Sequence, residues 1–224
     1  MTNPAGTARR IALIHALVHS AAPVRKEFER QWPECRLMNL LDDSLSADLA
    51  ATSGGLDAAM YRRFQALADY AVETGADAIL FTCSAFGPCI EAVARRHADI
   101  PVLKPNEAMI GQALRLKTRV GLVASFAPTL KTMPAEFPAG SEIDCELAGG
   151  ALAALDSGEL ADHDRRVVAA AERLHQRGCG VIALTQFSMA RAAGDVEAAV
   201  PLPVLTTVGS AVAELRARLL GTPR

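Results

Sequence analysis

Two stretches of the sequence share one pattern: Gly75-Ala-Asp-Ala-Ile-Leu-Phe-Thr-Cys83 and Gly178-Cys-Gly-Val-Ile-Ala-Leu-Thr-Gln186. In each, a glycine precedes a short apolar run, and a thiol or an amide side chain stands eight positions after the glycine. Short continuous apolar runs are typical of strands buried on both faces of a parallel sheet. The two stretches therefore predict equivalent buried strands that end at Cys83 and Gln186.

The repeat extends to both sides of these strands. Arg10-Ile-Ala-Leu-Ile14 matches Arg119-Val-Gly-Leu-Val123, and the segment Pro-Val-Leu begins at Pro101 and again at Pro203. Strands alternate with helical segments throughout, which is typical of a parallel sheet covered by helices. We expect an α/β fold of two similar Rossmann-like or flavodoxin-like halves, related by a pseudo-two-fold axis, each a four-stranded parallel sheet flanked by helices.

The predicted halves are residues 1–116, which carry Cys83, and residues 117–224, which carry Gln186. Each half falls within the usual size of a domain. The last helix of the first half is a candidate for packing on, or swapping with, the second half.

Composition excludes several classes of protein. The 224 residues are 50% hydrophobic and carry a formal net charge of −2, so the chain can bury a large core and lacks the basic surplus of nucleic-acid-binding domains. No apolar run approaches the roughly 20 residues of a membrane span, and the polar start does not resemble a signal peptide. We expect a cytoplasmic protein with no nucleic-acid or membrane partner.

The five cysteines do not form a recognisable framework, because their number is odd and no CxxC pair occurs. This usage argues against disulfides and structural zinc. We expect Cys35, Cys145 and Cys179 to be small buried residues, and Cys89 to pack within the helix that follows Cys83.

Cys83 follows the carboxyl end of a predicted parallel strand, which is where ligands bind in such folds. A helix follows it, and a helix N-terminus favours an anion and lowers a thiol pKa from about 8.5. Ser84 and the backbone of Ala85 are candidate donors to a carboxylate or enolate oxygen. We expect Cys83 and Gln186 to face each other across one cleft; the alternative is that Cys83 packs under the next helix.

The sequence resembles the aspartate/glutamate/hydantoin racemase superfamily, whose relatives include maleate isomerases and arylmalonate decarboxylases. The likeness rests on residues 78–84, 119–123 and 181–185 and on the two Pro-Val-Leu segments. It implies a cofactor-free enzyme in which two cysteines, one per half, move a proton at the carbon beside a carboxylate. Cys83 matches the first cysteine, and the resemblance also implies a homodimer or higher homo-oligomer.

The second half departs from this pattern. Gln186 stands where the resemblance implies the second cysteine, followed by the candidate substrate contacts Phe187 and Ser188, and glutamine is neither acid nor base at neutral pH. We expect a one-cysteine enzyme that transfers a proton at the α-carbon of a small carboxylate. A decarboxylase or cis–trans isomerase of a small dicarboxylate, and a non-catalytic small-acid binding protein, remain open.

Further candidate substrate contacts follow the other strand ends: His15, Asn106, Ser125, Phe126 and Thr206. Histidine has a pKa suited to acid–base work, although His15 also fits a buried strand-end residue. His19 lies four positions on, but no third ligand is apparent, so we expect no metal site. Nucleotide-binding GxGxxG and P-loop motifs and the GxSxG elbow are absent.

Overall fold

The computed structural model describes residues 8–52 and 54–221. Eight strands occur in this part of the chain: β1 Arg10–His15, β2 Arg36–Leu41, β3 Ala78–Phe81, β4 Val102–Leu103, β5 Val120–Ala124, β6 Ile143–Leu147, β7 Val181–Leu184 and β8 Val204–Thr206. The α-helices are α1 Ala21–Gln31, α2 Ser44–Ala51, α3 Ala58–Glu73, α4 Gly87–Arg96, α5 Glu107–Arg115, α6 Ala127–Thr132, α7 Ala151–Asp156, α8 Leu160–Gln176, α9 Ala193–Ala199 and α10 Thr207–Leu220. Short 3-10 helices cover Val18–Ser20, Ser84–Phe86, Met133–Glu136 and Phe187–Ala192.

The strands form two four-stranded sheets, ordered β2-β1-β3-β4 and β6-β5-β7-β8. Every strand pair is parallel. The predicted α/β fold with two four-stranded parallel sheets is confirmed. β3 and β7 are buried at every position, as expected of strands that have a neighbour on each side and helices on both faces.

The core of the first sheet is built around aromatic rings. Phe64 of α3 stacks on Phe81 of β3 with ring centroids 5.2 Å apart, and its ring is tilted against that of Phe86 with centroids 4.9 Å apart. Helix α3 begins where the Asp57 carboxylate accepts a hydrogen bond from the Met60 backbone N–H at 2.8 Å. Such a cap satisfies one of the N–H groups that a helix start leaves unpaired, and it sets the register that turns Phe64 inward.

Helix α8 supplies the matching layer on the second sheet. Its buried apolar positions include Val167, Ala170 and Leu174, spaced as one helix face. The helix lies very close to β5 at Gly121, where an added Cβ would stand 3.0 Å from Leu174 Cδ1 and 3.2 Å from Cys179 Sγ. The absence of a side chain at Gly121 is therefore what permits this contact.

Contacts divide the chain into two compact units. One contains the residues up to Lys104 and those from Val212 onward, and the other contains Pro105–Ala211. Helix α5 packs against β7 and β8 of the second unit, and α10 begins in the second unit and continues in the first. The predicted halves 1–116 and 117–224 stay a prediction.

All five cysteines are free thiols. Cys89 and Cys179 are buried, as expected, whereas Cys35 and Cys145 are only partly buried. Cys145 lies on β6, an edge strand, and an edge strand has one neighbour fewer to cover it. The cysteine at position 83 is treated with the candidate site.

No helix within the described ranges is long and apolar enough to cross a lipid bilayer. Residues 1–7, on which the expectation of a chain without a signal peptide partly rests, lie outside those ranges. The cytoplasmic location stays a prediction.

Replacing Gly121 with alanine is expected to lower the free energy of unfolding by about 1–3 kcal/mol, because the new methyl group overpacks the β5–α8 contact. Urea unfolding followed by circular dichroism measures the change. Gly194→Ala is the matched control in the same unit, since nothing lies within 4 Å of a Cβ at that position. Equal stability of the two variants would contradict the close approach at Gly121.

Candidate active site

Cys83 lies two residues beyond the end of β3, at the carboxyl edge of the first sheet. Its backbone is extended, with φ −126° and ψ 121°, and it precedes the 3-10 helix Ser84–Phe86. β3 runs between β1 and β4, so Cys83 stands near the middle of the edge where ligands bind in parallel sheets. The side chain is partly buried.

A small, shallow recess lies beside this thiol. Besides Cys83, its lining comprises Ile14, His15, Ala16, Leu45, Phe64 and Phe81. These residues come from the end of β1, from α2, from α3 and from β3. The recess is thus mainly apolar, with one thiol and one imidazole.

Burial raises the pKa of the Cys83 thiol to about 11, although hydrogen bonds from the Ala85 backbone N–H and the Ser46 side chain act to lower it. The expected lowering of this pKa is wrong. Loss of solvent disfavours the charged thiolate, and two neutral donors do not compensate for it. Cys83 is therefore a thiol at neutral pH.

Ser46 is a site residue that the sequence analysis missed. It lies on α2, and its hydroxyl donates to the Ala16 backbone carbonyl at 2.8 Å as well as contacting the sulfur of Cys83. Arg63 of α3 holds this helix through Asp42, with N–O distance 2.7 Å, and through Asp48, at 2.6 Å. These ion pairs hold the segment after β2 against α3, and Ser46 of that segment lies beside the thiol.

His15 ends β1 and is buried, with 1% of its surface exposed. Its Nε2 lies 3.0 Å from Asn39 Oδ1, so this nitrogen carries the proton, and Nδ1 accepts from the Thr82 hydroxyl at 2.9 Å. Burial lowers the pKa of His15, and the Asn39 hydrogen bond opposes this in part. The imidazole is therefore neutral with both nitrogens engaged, which matches a buried strand-end residue.

The other histidine considered from the sequence, His19, lies in the 3-10 helix Val18–Ser20 and is partly exposed. Within residues 8–52 and 54–221, no three His, Cys, Asp or Glu side chains are grouped as a metal ion requires. Ser84 is buried and Ala85 is partly buried. The Ala85 backbone N–H donates to the sulfur of Cys83.

Gln186 occupies the equivalent position in the second unit, two residues beyond β7. Its side-chain oxygen Oε1 accepts three hydrogen bonds: from the Ser125 backbone N–H at 2.6 Å, from the Ser125 hydroxyl at 3.0 Å and from the Phe126 backbone N–H at 3.2 Å. Gln186 and Ser125 are both buried. Two successive N–H groups thus converge on one oxygen, and here the side-chain amide of the protein itself supplies that oxygen.

Four other polar residues end or follow strands: Asn106 follows β4, Ser188 follows β7, Thr206 ends β8 and Thr207 follows it. The Asn106 amide donates to Glu136 Oε1 at 3.4 Å, and the Thr206 hydroxyl accepts from the Gly209 backbone N–H at 3.1 Å. Asn106 Oδ1, Ser188 Oγ and Thr207 Oγ1 are buried without a hydrogen-bond partner among the described residues. Buried polar atoms are normally paired, so these three are suited to contact a ligand or solvent. Phe187 is buried.

An ion pair holds the loop that follows Gln186. Arg191, in the 3-10 helix Phe187–Ala192, binds the Asp164 carboxylate with both Nε, at 2.9 Å, and a terminal nitrogen, at 2.8 Å. His163 Nδ1 lies 2.7 Å from the same carboxylate. A two-point guanidinium–carboxylate contact is directional and therefore fastens this loop to helix α8. The sequence analysis singled out none of the three, because they lie far from any strand end.

A model of the family described as Asp/Glu/Hydantoin racemase matches residues 3–215. The chain belongs to this family. The match spans both units and both strand-end positions, 83 and 186, and it confirms the resemblance inferred from the repeated segments. A comparison with curated protein sequences found no match.

Solved structures of racemases share the fold of this racemase-family chain at low identity. A glutamate racemase from Francisella tularensis in complex with D-glutamate has a TM-score of 0.73 at 14% identity, with 96% of this chain and 82% of that chain covered. An allantoin racemase from Klebsiella pneumoniae has a TM-score of 0.70 at 20% identity, with coverage of 96% and 89%. A mutant of arylmalonate decarboxylase has a TM-score of 0.68 at 16% identity, with coverage of 96% and 94%.

The structure places Cys83, Ser84, Ala85 and His15 at the carboxyl edge of the first sheet, and Ser125 beside Gln186 at that of the second. That Cys83 and Gln186 face each other across one cleft stays a prediction. The substrate contacts expected for the ten residues named from the sequence also stay predictions.

The raised pKa of Cys83 has a direct test in alkylation by iodoacetamide, since the thiolate is the reactive form. With a pKa of about 11, the rate at Cys83 is expected to rise about tenfold per pH unit from pH 7 to pH 10. Peptide mass spectrometry resolves each cysteine, and Cys35, whose pKa burial also raises to about 11, is the internal comparison. A rate that levels off below pH 9 would contradict the raised value.

Removing the Ser46 hydroxyl is expected to raise the pKa of Cys83 further, because the thiolate then lacks a hydroxyl that can turn to it from the Ala16 carbonyl. Alkylation of Cys83 in Ser46→Ala should slow by about threefold to tenfold at pH 9, the worth of one hydrogen bond. Ser46→Thr retains a hydroxyl and should restore the rate. Ser44→Ala is the control on the same helix, since the Ser44 hydroxyl bonds Asp42; equal rates in Ser46→Ala and Ser44→Ala would refute the contact with the thiol.

Proposed function

We propose that this chain is a cofactor-independent enzyme that transfers a proton at the α-carbon of a small carboxylate, with Cys83 as the group that gives or takes the proton. One observation carries the proposal: of the two equivalent strand ends, one presents a thiol to a recess and the other presents an amide whose oxygen is bound by the protein. Membership of the racemase family supports this class of chemistry.

The protonation state of Cys83 favours one direction of transfer. A thiol with a pKa of about 11 keeps its proton at neutral pH, so it can donate a proton but is rarely in the form that accepts one. It suits the protonation of an enediolate formed when a carbon–carbon bond breaks and carbon dioxide leaves. Cys83 would then pass its proton to the α-carbon and recover one from solvent, which makes decarboxylation of a small dicarboxylate the second candidate.

The remaining alternatives differ in what they require of the thiol. A cis–trans isomerase needs the thiolate to add to a double bond, and burial opposes formation of that thiolate. A non-catalytic small-acid binding protein needs no ionisation, and the raised pKa of Cys83 agrees with it. Assembly as a homodimer or higher homo-oligomer and a cytoplasmic location complete the proposal.

One-sided proton transfer is the expected signature of an enzyme with a single thiol. We expect incubation in D2O with small amino acids and malonates to place one deuteron at the α-carbon of the accepted substrate, in one configuration, as followed by NMR and chiral chromatography. Cys83→Ala should slow the reaction at least about a hundredfold, as loss of an acid–base group does. Cys35→Ala is the matched control, because this thiol has a similarly raised pKa but precedes β2 at the opposite edge of the sheet.

Absence of deuterium in every candidate acid, or equal rates for wild type and Cys83→Ala, would overturn the enzymatic proposal. Saturable binding of an acid by calorimetry without exchange would instead establish the binding protein.

A further inference from the structure

The turns that follow β1 and β5 make the same backbone hydrogen bonds at equivalent residues. Ala16 and Leu17 occupy the places of Ser125 and Phe126, since Arg10 aligns with Arg119. The Thr82 N–H donates to the Ile14 carbonyl at 3.0 Å, and the Thr185 N–H donates to the Val123 carbonyl at 3.0 Å. Each turn then closes by one further bond, Ser20 N–H to Leu17 carbonyl at 3.2 Å and Thr129 N–H to Phe126 carbonyl at 3.1 Å.

The backbone angles agree with this equivalence. Leu17 has φ −144° and ψ 132°, and Phe126 has φ −123° and ψ 112°. Cys83 has φ −126° and ψ 121°, and Gln186 has φ −133° and ψ 143°. Because all four residues are extended in the same way, we expect the pair of N–H groups and the side chain at the next strand end to be arranged alike in the two units.

Only one of the two N–H pairs is occupied by the protein. In the second unit, Gln186 Oε1 accepts from the Ser125 and Phe126 N–H groups. In the first unit, the N–H groups of Ala16 and Leu17 donate to no acceptor within the described part of the chain. Ala16 is 2% exposed and lines the recess beside Cys83. A buried N–H group without an acceptor costs free energy, so the Ala16 N–H needs a ligand or a water molecule to accept its hydrogen bond.

We propose that the Ala16 and Leu17 N–H groups bind one carboxylate or enolate oxygen of the ligand beside Cys83, in the place that Gln186 Oε1 holds in the second unit. This inference deepens the proposed function and rests on it for the identity of the ligand. Because Gln186 closes the second N–H pair, only the first of these two turns can bind a ligand oxygen in this way.

The chemistry of the side chain at the strand end explains the difference. The glutamine amide extends two bonds beyond the Cγ position, whereas cysteine stops at Sγ, so the Cys83 side chain does not reach the N–H pair as the Gln186 carbonyl group does. A ligand oxygen held by both N–H groups puts the adjoining carbons near the sulfur. Negative charge that develops on this oxygen is then stabilised by fixed donors, which assists proton transfer involving a thiol that ionises poorly.

Backbone NMR of the full-length 15N-labelled chain tests this site without relying on activity. Sodium acetate is the probe, titrated against sodium chloride of equal ionic strength. We expect saturable downfield shifts of the Ala16 and Leu17 amide protons, and no response at Ser125 and Phe126, because Gln186 already occupies them.

Two variants change which of the two N–H pairs is occupied by a side-chain amide. Cys83→Gln should fill the first pair with its own amide, so that the acetate affinity measured at Ala16 falls about tenfold or more, the worth of the charge-assisted hydrogen bonds lost. Gln186→Ala should open the second pair, so that Ser125 and Phe126 begin to respond. Unmoved Ala16 and Leu17 amides in the unaltered chain, or an undiminished response in Cys83→Gln, would overturn the inference.

The NMR titration and the deuterium-exchange experiment can fail independently of each other. Saturable shifts at Ala16 and Leu17 without deuterium exchange at any α-carbon would keep the oxygen site and remove the enzymatic function. Exchange that requires Cys83, with the two amides unmoved by acetate or by the accepted substrate, would keep the function and remove this site.

Discussion

Each parallel sheet of this protein ends in a turn that leaves two successive N–H groups outside the hydrogen-bonded ladder, and buried N–H groups need an acceptor. The side chain at the end of the neighbouring strand determines how that need is met. Gln186 meets it with its own oxygen at 2.6 and 3.2 Å. Cys83 does not extend that far, so the equivalent pair at Ala16 and Leu17 remains available to a ligand.

The residues at positions 83 and 186 also differ in their capacity to exchange a proton. Gln186 has no proton to exchange at neutral pH, and its amide is held by the turn. Cys83 has one, but burial raises its pKa to about 11, because Ser46, Ala85 and the neutral His15 offer dipoles and no positive charge. Desolvation outweighs neutral hydrogen bonds, and the thiol is consequently better prepared to give a proton than to remove one.

Much of the architecture was predictable, because buried parallel strands are continuous apolar runs and such runs are a local property of the sequence. The repeat around Cys83 and Gln186 predicted both sheets. Ser46 was missed because the segment 42–55 has no periodicity that orients it. Its place over the thiol depends on Arg63, which binds Asp42 and Asp48 from another helix.

The sequence by itself determined the duplicated α/β fold, the placement of a thiol at one strand end and an amide at the other, and the family. These follow from short-range patterns and from the chemical identity of two residues. Only the tertiary structure decided the sign of the pKa shift at Cys83 and the capture of the Gln186 oxygen by Ser125 and Phe126. Both depend on the distance and burial of groups remote in the chain, and no local pattern encodes how much solvent a folded side chain loses.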